Sequence, residues 1–261
     1  MKIATVLNVH SDSQNIIDTC HSIFEYSGPN VLLLVNGSKW NELKNLDVPA
    51  YKVRGFRHDM LKASYRNVAL GLKMVQETFP DADWFCFTEP NALFASSRFK
   101  NNLLLAEDRN VWMLGSGGHV APIQISLVEA MFEKKFKSVY YLLGGCLFFH
   151  KDFMNKLSDI DFFDRFLFLT NSFSDGFFPD YKGLDISEHL YPTLCRHLGG
   201  NVGVFSTWDN NQWHGASQYF PMRCHPEIEE EFPEASILYP LKEFLHPTRK
   251  FHRERRNNGK L

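Results

Sequence analysis

Apolar residues fall in short unbroken runs separated by polar turns, and between several of these runs lie stretches with helical spacing. Ile3–Val9 is one such run and reads as a strand. Ser11 or Asp12 can cap a following helix in which Ile16, Ile17, Cys20, Ile23 and Phe24 recur at helical intervals. Residues 31–35 form a second all-apolar strand. Leu61, Tyr65, Val68, Leu72, Val75 and Phe79 then step by four and three, which lays one stripe of a long helix over 61–79 against a sheet. Trp84–Thr88 follows as the next buried strand. Strands that are apolar throughout, alternating with helices, predict an α/β fold with a mostly parallel central sheet covered on both faces.

Farther along, the pattern predicts a strand over 111–114, a helix over 123–136, and an apolar strand over 140–149 interrupted by Gly144 and Gly145. Paired glycines inside a strand suggest close backbone approach to another group. Residues 161–184 are rich in Phe, Asp and Gly and show no clear period. The spacing over 187–198 predicts a helix that begins acidic and stops at Gly199 and Gly200. No internal repeat and no Pro/Gly/Ser-rich linker divides the chain. One domain over 1–245, with halves of about 1–95 and 96–245, and a basic tail over 246–261 is the simplest division.

The 261 residues, 44% of them hydrophobic, suffice for one substantial core. With 24 Phe, aromatics reach 15%, which core packing accounts for more simply than base stacking. A net charge of -2 gives no case for nucleic acid as a partner. The five cysteines are widely spaced and include no CxxC pair, so neither a zinc site nor a disulfide framework is indicated, and a reducing, cytoplasmic location is expected. No run approaches a transmembrane span; peripheral contact with a membrane stays compatible with the sequence.

Three polar clusters follow predicted strands or open a helix, where open α/β sheets bind ligands. Asn36, Gly37 and Ser38 leave the second strand and could read a base or ribose, or form an ordinary turn. Glu89 and Asn91, flanking Pro90 after the strand Trp84–Thr88, could hold Mg²⁺ or Mn²⁺ through a carboxylate and an amide oxygen, or lie solvated in a turn. Asp185 and Glu188 sit at a helix start, where either carboxylate could take a proton from an acceptor hydroxyl, or Ser187 and Glu188 could act only as capping and first-turn residues. His246, ahead of Arg249, Lys250 and Arg253, is either a metal ligand beside a diphosphate-binding basic segment or part of a solvated tail.

Taken in order, these stretches resemble the GT-A glycosyltransferases, which transfer a sugar from a nucleotide-sugar donor. "IATVLNVHSDSQNIIDTCHSI" is similar to the family's opening strand and helix, and "VLLLVNGS" to its second strand, with Asn36 where the family has an acid. "SYRNVALGLK" is similar to a helix carrying an Arg-Asn pair, here Arg66 and Asn67, and "DWFCFTEPNALF" stands at the DxD metal motif, degenerate here as Glu89-Pro90-Asn91. "LLGGCLFFHKDFMNKL" resembles the segment after the acceptor loop and "GLDISEHLYPTLCRHLGG" the acidic loop and helix that carry the catalytic base.

The resemblance implies a nucleotide-diphosphate sugar donor, a glycan or glycoconjugate acceptor, and Mn²⁺ or Mg²⁺ held by Glu89, Asn91 and His246. It implies donor contacts at Val9, His10, Asn36, Arg66, Glu89 and Asn91, at Gly144 and Gly145, and at Arg249 and Lys250. Glu188 matches the base by its register to the terminal glycine, and Asp185 takes that role if the loop length differs. Gly144 and Gly145, the aromatic region 162–178, and Trp208 and Trp213 are candidates for acceptor contact, while core packing is the simpler account of most of these Phe residues. Loss of one acid from the metal motif keeps open a non-catalytic nucleotide-sugar or glycan-binding protein. A sugar-phosphate nucleotidyltransferase fits less well, because "LNVHSDSQ" lacks a Gly-rich phosphate loop.

Overall fold

All seven residues of the first strand, β1 (Ile3–Val9), are buried, and they alternate between two cores. Ala4 and Val6 face one side of the sheet; Ile3, Leu7 and Val9 face the other. The same division runs through β2 (Val31–Asn36) and β4 (Trp84–Thr88), so each needs a cover on both faces. The structure is a computed structural model that describes residues 1–9, 13–36, 40–43, 46–53, 60–115, 117–121, 129, 139–143, 145–172, 186–204, 207–209, 212–214, 218–219, 236–239 and 241–258. Of residues 36, 40, 60–65, 117–121, 139, 141, 143, 169–172, 186–187, 207–209, 212–214 and 218–219, only the backbone is described.

The central sheet has seven strands in the order β10-β6-β9-β4-β1-β2-β3, where β3 is Ala50–Val53, β6 Val111–Gly115, β9 Cys146–His150 and β10 Asn201–Val204. Pairing is parallel except at β9, which runs antiparallel to both β4 and β6. One face is covered by α1 (Ser13–Tyr26) and α4 (Phe99–Glu107), with the short α2 (Trp40–Leu43) beside them. The other is covered by α3 (Met60–Thr78), α5 (Lys151–Asp159), α6 (Phe162–Ser172) and α7 (Ile186–His197). Smaller pairings complete the chain: β7 (Gly117–Ala121) with β8 (Val139–Leu143), β11 (Thr207–Asp209) with β12 (Gln212–His214), and β13 (Gln218–Tyr219) with β14 (Ile237–Leu238) and β5 (Leu93–Phe94). The last helix is α8 (Pro247–Asn258).

The α3 stripe is confirmed through Val68, Leu72 and Val75, all buried. Gly199, at φ +100°, adopts the left-handed conformation that closes α7. Four expectations need correction. The apolar stretch 140–149 is two strands in different sheets. Residues 162–172, which show no clear period in the sequence, are a helix, and its Phe162, Phe163 and Phe166 belong to the core, in line with the simpler account of these aromatics. Residues 247–258 form a packed helix with Thr248, Arg249, His252 and Arg256 buried, so this stretch is no solvated tail. On α1, Asp18, Thr19 and Ser22 are buried as well as the apolar stripe, because β5 and α8 cover a second side of that helix. The helix expected over 123–136 lies outside the described residues, apart from Glu129.

Cys20, Cys86, Cys146 and Cys195 are buried thiols, and burial pushes those of Cys20 and Cys195 up to about 12. His252 responds in the opposite sense. Burial, helped by the charges of Arg255 and Arg256, brings its imidazole from 6.5 down to about 4. The unfolded chain therefore takes up this proton near pH 6.5 and the folded chain only near pH 4. Stability from this group is present above pH 6.5 and falls as pH drops toward 4, by up to about 3 kcal/mol. Urea unfolding at pH 7 and pH 4.5 checks this: His252→Leu is expected to lose less stability on acidification than the wild type, and an equal loss contradicts it.

Candidate functional site

Chain order across the sheet sets where polar groups converge. From β1 the chain moves outward through β2 to β3, then returns to place β4 on the other side of β1. Between β1 and β4 the connections part in opposite directions, and the crevice beyond the carboxyl ends of two such strands is where open α/β sheets bind ligands. Leu7 pairs with Thr88 and Val9 with Val35, so Val9, Asn36 and Glu89 leave the sheet along one edge. Because β9 is antiparallel, it starts at that edge: Thr88 pairs with Cys146, and Gly145 stands beside Glu89.

Glu89 is half-buried, and the Tyr239 hydroxyl donates to its Oε2 at 3.3 Å. The Tyr239 ring also lies flat against the backbone at Gly145, so close that a Cβ there would sit 2.2 Å from the ring. Glycine at 145 is thus a steric requirement of this contact, and the close approach inferred from the sequence is to Tyr239. Thr88 donates to the Gly145 carbonyl at 3.1 Å, which fixes the entry of β9 against the exit of β4. Behind the edge, Asn67 of α3 donates to Asn8 Oδ1 of β1 at 3.5 Å, both residues buried. Arg66, next to Asn67, is half-buried, and burial lowers its pKa.

The loop after Glu89 is held by its backbone. Thr19 Oγ1 donates toward the carbonyls of Pro90 at 2.9 Å and Ala92 at 3.0 Å, and the Leu241 N–H donates to the Asn91 carbonyl at 2.7 Å. Arg249 Nη2 donates to the Pro90 and Ala92 carbonyls at 2.6 and 3.3 Å, while its Nε donates to the Leu241 carbonyl at 3.0 Å. Its charge is met by Asp18 at 2.8 Å. Burial pulls the guanidinium pKa down, and the bond to Asp18 works against that pull. Arg249 is 0% exposed with its donors so engaged, which corrects its expected contact with a diphosphate: it shapes the loop from behind.

His246 Nδ1 accepts the Thr248 N–H at 3.2 Å and caps α8, so that Nε2 is the ring nitrogen not used in the cap. Lys250 is exposed on α8, 4.0 Å from Glu254. Glu188 lies half-buried in the first turn of α7, the helix that packs on β8, β10 and α3. Asp185, His10 and Gly144 lie outside the described residues, as does the side chain of Asn36. Trp208 and Trp213 are directly opposed across β11 and β12. Sequence reasoning missed Tyr239, Thr19 and Asp18; the one signal for the last two was an acid and a hydroxyl amid the apolar "NIIDTC" of α1.

No protein-family model matches the sequence, and no curated protein matches it. Among solved structures, the chain is similar to a glycosyltransferase involved in glycosylation of the major capsid of PBCV-1, with a TM-score of 0.50 and 13% identity over 97% of this chain and 100% of that one. The fold is GT-A-like. It is also similar to the glycosyltransferase GlyE of Streptococcus pneumoniae TIGR4 (TM-score 0.49, 10% identity, 97% of this chain and 60% of that one). A CMP:2-keto-3-deoxy-manno-octonic acid synthetase complexed with CTP matches at a TM-score of 0.42 and 13% identity, over 79% of this chain and 90% of that one. The GT-A-like chain shares with the capsid-modifying enzyme its layout of a mostly parallel sheet between helices.

Removing the Arg249 side chain is expected to destabilise the protein strongly. Arg249→Met leaves the Pro90 carbonyl without its guanidinium donor and takes one cation from buried Asp18, at an expected cost of about 3 kcal/mol. Arg249→Lys recovers little, because one ammonium cannot serve Asp18 and the loop carbonyls together. Urea midpoints for both variants check this, and a loss below about 1 kcal/mol contradicts it.

Proposed function

We propose that the protein is a glycosyltransferase that moves a sugar from a nucleotide-diphosphate donor to a hydroxyl of a glycan or glycoconjugate. The observation that carries this reading is the convergence of Val9, Glu89 and Gly145 at the switch between β1 and β4 in a GT-A-like fold. The nucleoside would lie beyond β1 and β2, near Val9, His10 and Asn36, with Arg66 beside the phosphates. Glu89 and Asn91 offer hard oxygen ligands and His246 the Nε2 that its cap does not use, donor types that fit Mn²⁺ or Mg²⁺. Such an ion, when bound, supplies positive charge against the diphosphate.

In the proposed inverting reaction, Glu188 accepts the proton of the acceptor hydroxyl as its oxygen attacks the anomeric carbon. The bond from that carbon to the diphosphate oxygen breaks, and the nucleoside diphosphate leaves on the opposite face. The half-buried setting of Glu188 in the first turn of α7 supports this role, since the positive end of the helix dipole favours an anionic side chain there. Asp185, just ahead of α7, is the second choice of base. Tyr239 orients Glu89 through its hydroxyl, which supports Glu89 as the fixed member of the donor site.

Thermal shift with uridine, guanosine, cytidine and thymidine diphosphates, with and without Mn²⁺, followed by donor hydrolysis, tests the reading. At least one nucleotide is expected to raise the midpoint, with Glu89→Gln weakening the rise. Glu188→Gln is expected to keep nucleotide binding and lower turnover about 10²- to 10⁴-fold. Absence of any nucleotide shift overturns the donor site, whereas binding with no turnover of any donor converts the reading to a non-catalytic nucleotide-sugar-binding protein.

A further inference from the structure

A cavity of about 540 Å³ lies between α1 and α8, a size that suits a small organic ligand, and neither Glu89 nor Asn91 lines it. Its walls differ in character. Ile17, Phe24 and Phe244 supply apolar surface, and Asp18, Arg253 and Arg256 supply charge. The Arg253 guanidinium stacks 3.9 Å from the centre of the Phe244 ring and donates to the Phe244 carbonyl at 2.8 Å, which fixes both residues at the rim.

The charges do not balance. Asp18, with its side chain 1% exposed, is the shared partner of Arg249, Arg253 and Arg256, so three guanidiniums converge on one carboxylate. Arg256 is 7% exposed, and although its Nη2 donates to Asp18, its Nη1 has no hydrogen-bond acceptor among the described residues. A buried guanidinium nitrogen without an acceptor is costly, and Arg256 is one of the residues that line the cavity. Glu25, the other acid on the wall, forms no ion pair with these arginines among the described residues. An anion entering beside Arg253 and Arg256 would offset the excess of positive charge around Asp18.

We propose that this cavity is a binding site for a small organic anion, with a phosphate or carboxylate head on Arg256 and Arg253 and an apolar body against Ile17, Phe24 and Phe244. The site is independent of the donor reading above. Lysine would not substitute well here, because a planar guanidinium can hold Asp18 with one nitrogen and the ligand with the other.

Isothermal titration of the full chain with phenyl phosphate, benzoate and inorganic phosphate tests it, the first two separating a phosphate from a carboxylate head. At least one aromatic anion is expected to bind, with inorganic phosphate at least about tenfold weaker for want of an apolar body. His21→Trp, which fills the cavity from an exposed position on α1, is expected to weaken binding at least about tenfold while circular dichroism and the unfolding midpoint stay near wild type. Glu25→Gln is expected to tighten binding by removing a like charge from the wall, a change that a purely structural arginine cluster would not produce. Arg256→Gln is expected to abolish binding. No heat with either aromatic anion, affinity unchanged in His21→Trp, or affinity lost in Glu89→Gln, which would place the probe at the donor site, each overturns the proposal.

Discussion

Three adjacent strands, β4, β1 and β2, have no polar face, and most of the architecture follows from the need to cover both sides of them. Val6 and Leu7 point to opposite cores, as do Phe85 and Cys86, so a single layer of helices would leave half of these side chains in water. Covering both sides forces crossover helices, and crossovers make the pairing parallel. In a parallel sheet the strand ends on one edge all have the same polarity. Polar groups at 8, 36 and 89 are therefore gathered by a demand that concerns only apolar surface.

The loop carrying Glu89 and Asn91 is ordered by a different means. Its carbonyls at Pro90, Asn91 and Ala92 are consumed by Thr19, Leu241 and Arg249, so the backbone is held from the protein side. Side chains on such a loop can face a ligand without having to anchor themselves. The hydroxyl of Tyr239, from the segment just after β14, touches Glu89 from the other side, which limits the positions its carboxylate can take. This is the arrangement expected of a preorganised site, in which the cost of ordering is met in folding and not on binding.

The first half of the chain was legible because local spacing decides it. Strands β1, β2 and β4 are unbroken apolar runs, and α3 repeats its buried residues every three or four positions. Helix α6 was not, although Phe162, Phe163 and Phe166 have helical spacing, because the Gly- and Asp-rich residues that follow dilute the period. The stretch 140–149 looked like one strand because apolarity does not reveal which neighbour each half pairs with. Arg249 was misplaced for a related reason: a cation in a basic segment reads as solvated unless its counter-charge is known. Asp18 lies 231 positions earlier, and nothing local joins them.

That separation has a consequence for the order of assembly. Strands β1, β2 and β4 can pair as soon as the first 90 or so residues are available, whereas the guanidinium that fastens the loop beyond β4 arrives with residue 249. During synthesis these three strands would precede the finished carboxyl edge by more than half of the chain, and contacts of such high sequence separation are the slow ones to form. Competence at the edge is then a late event, gained when α8 docks on α1 and not when the sheet condenses.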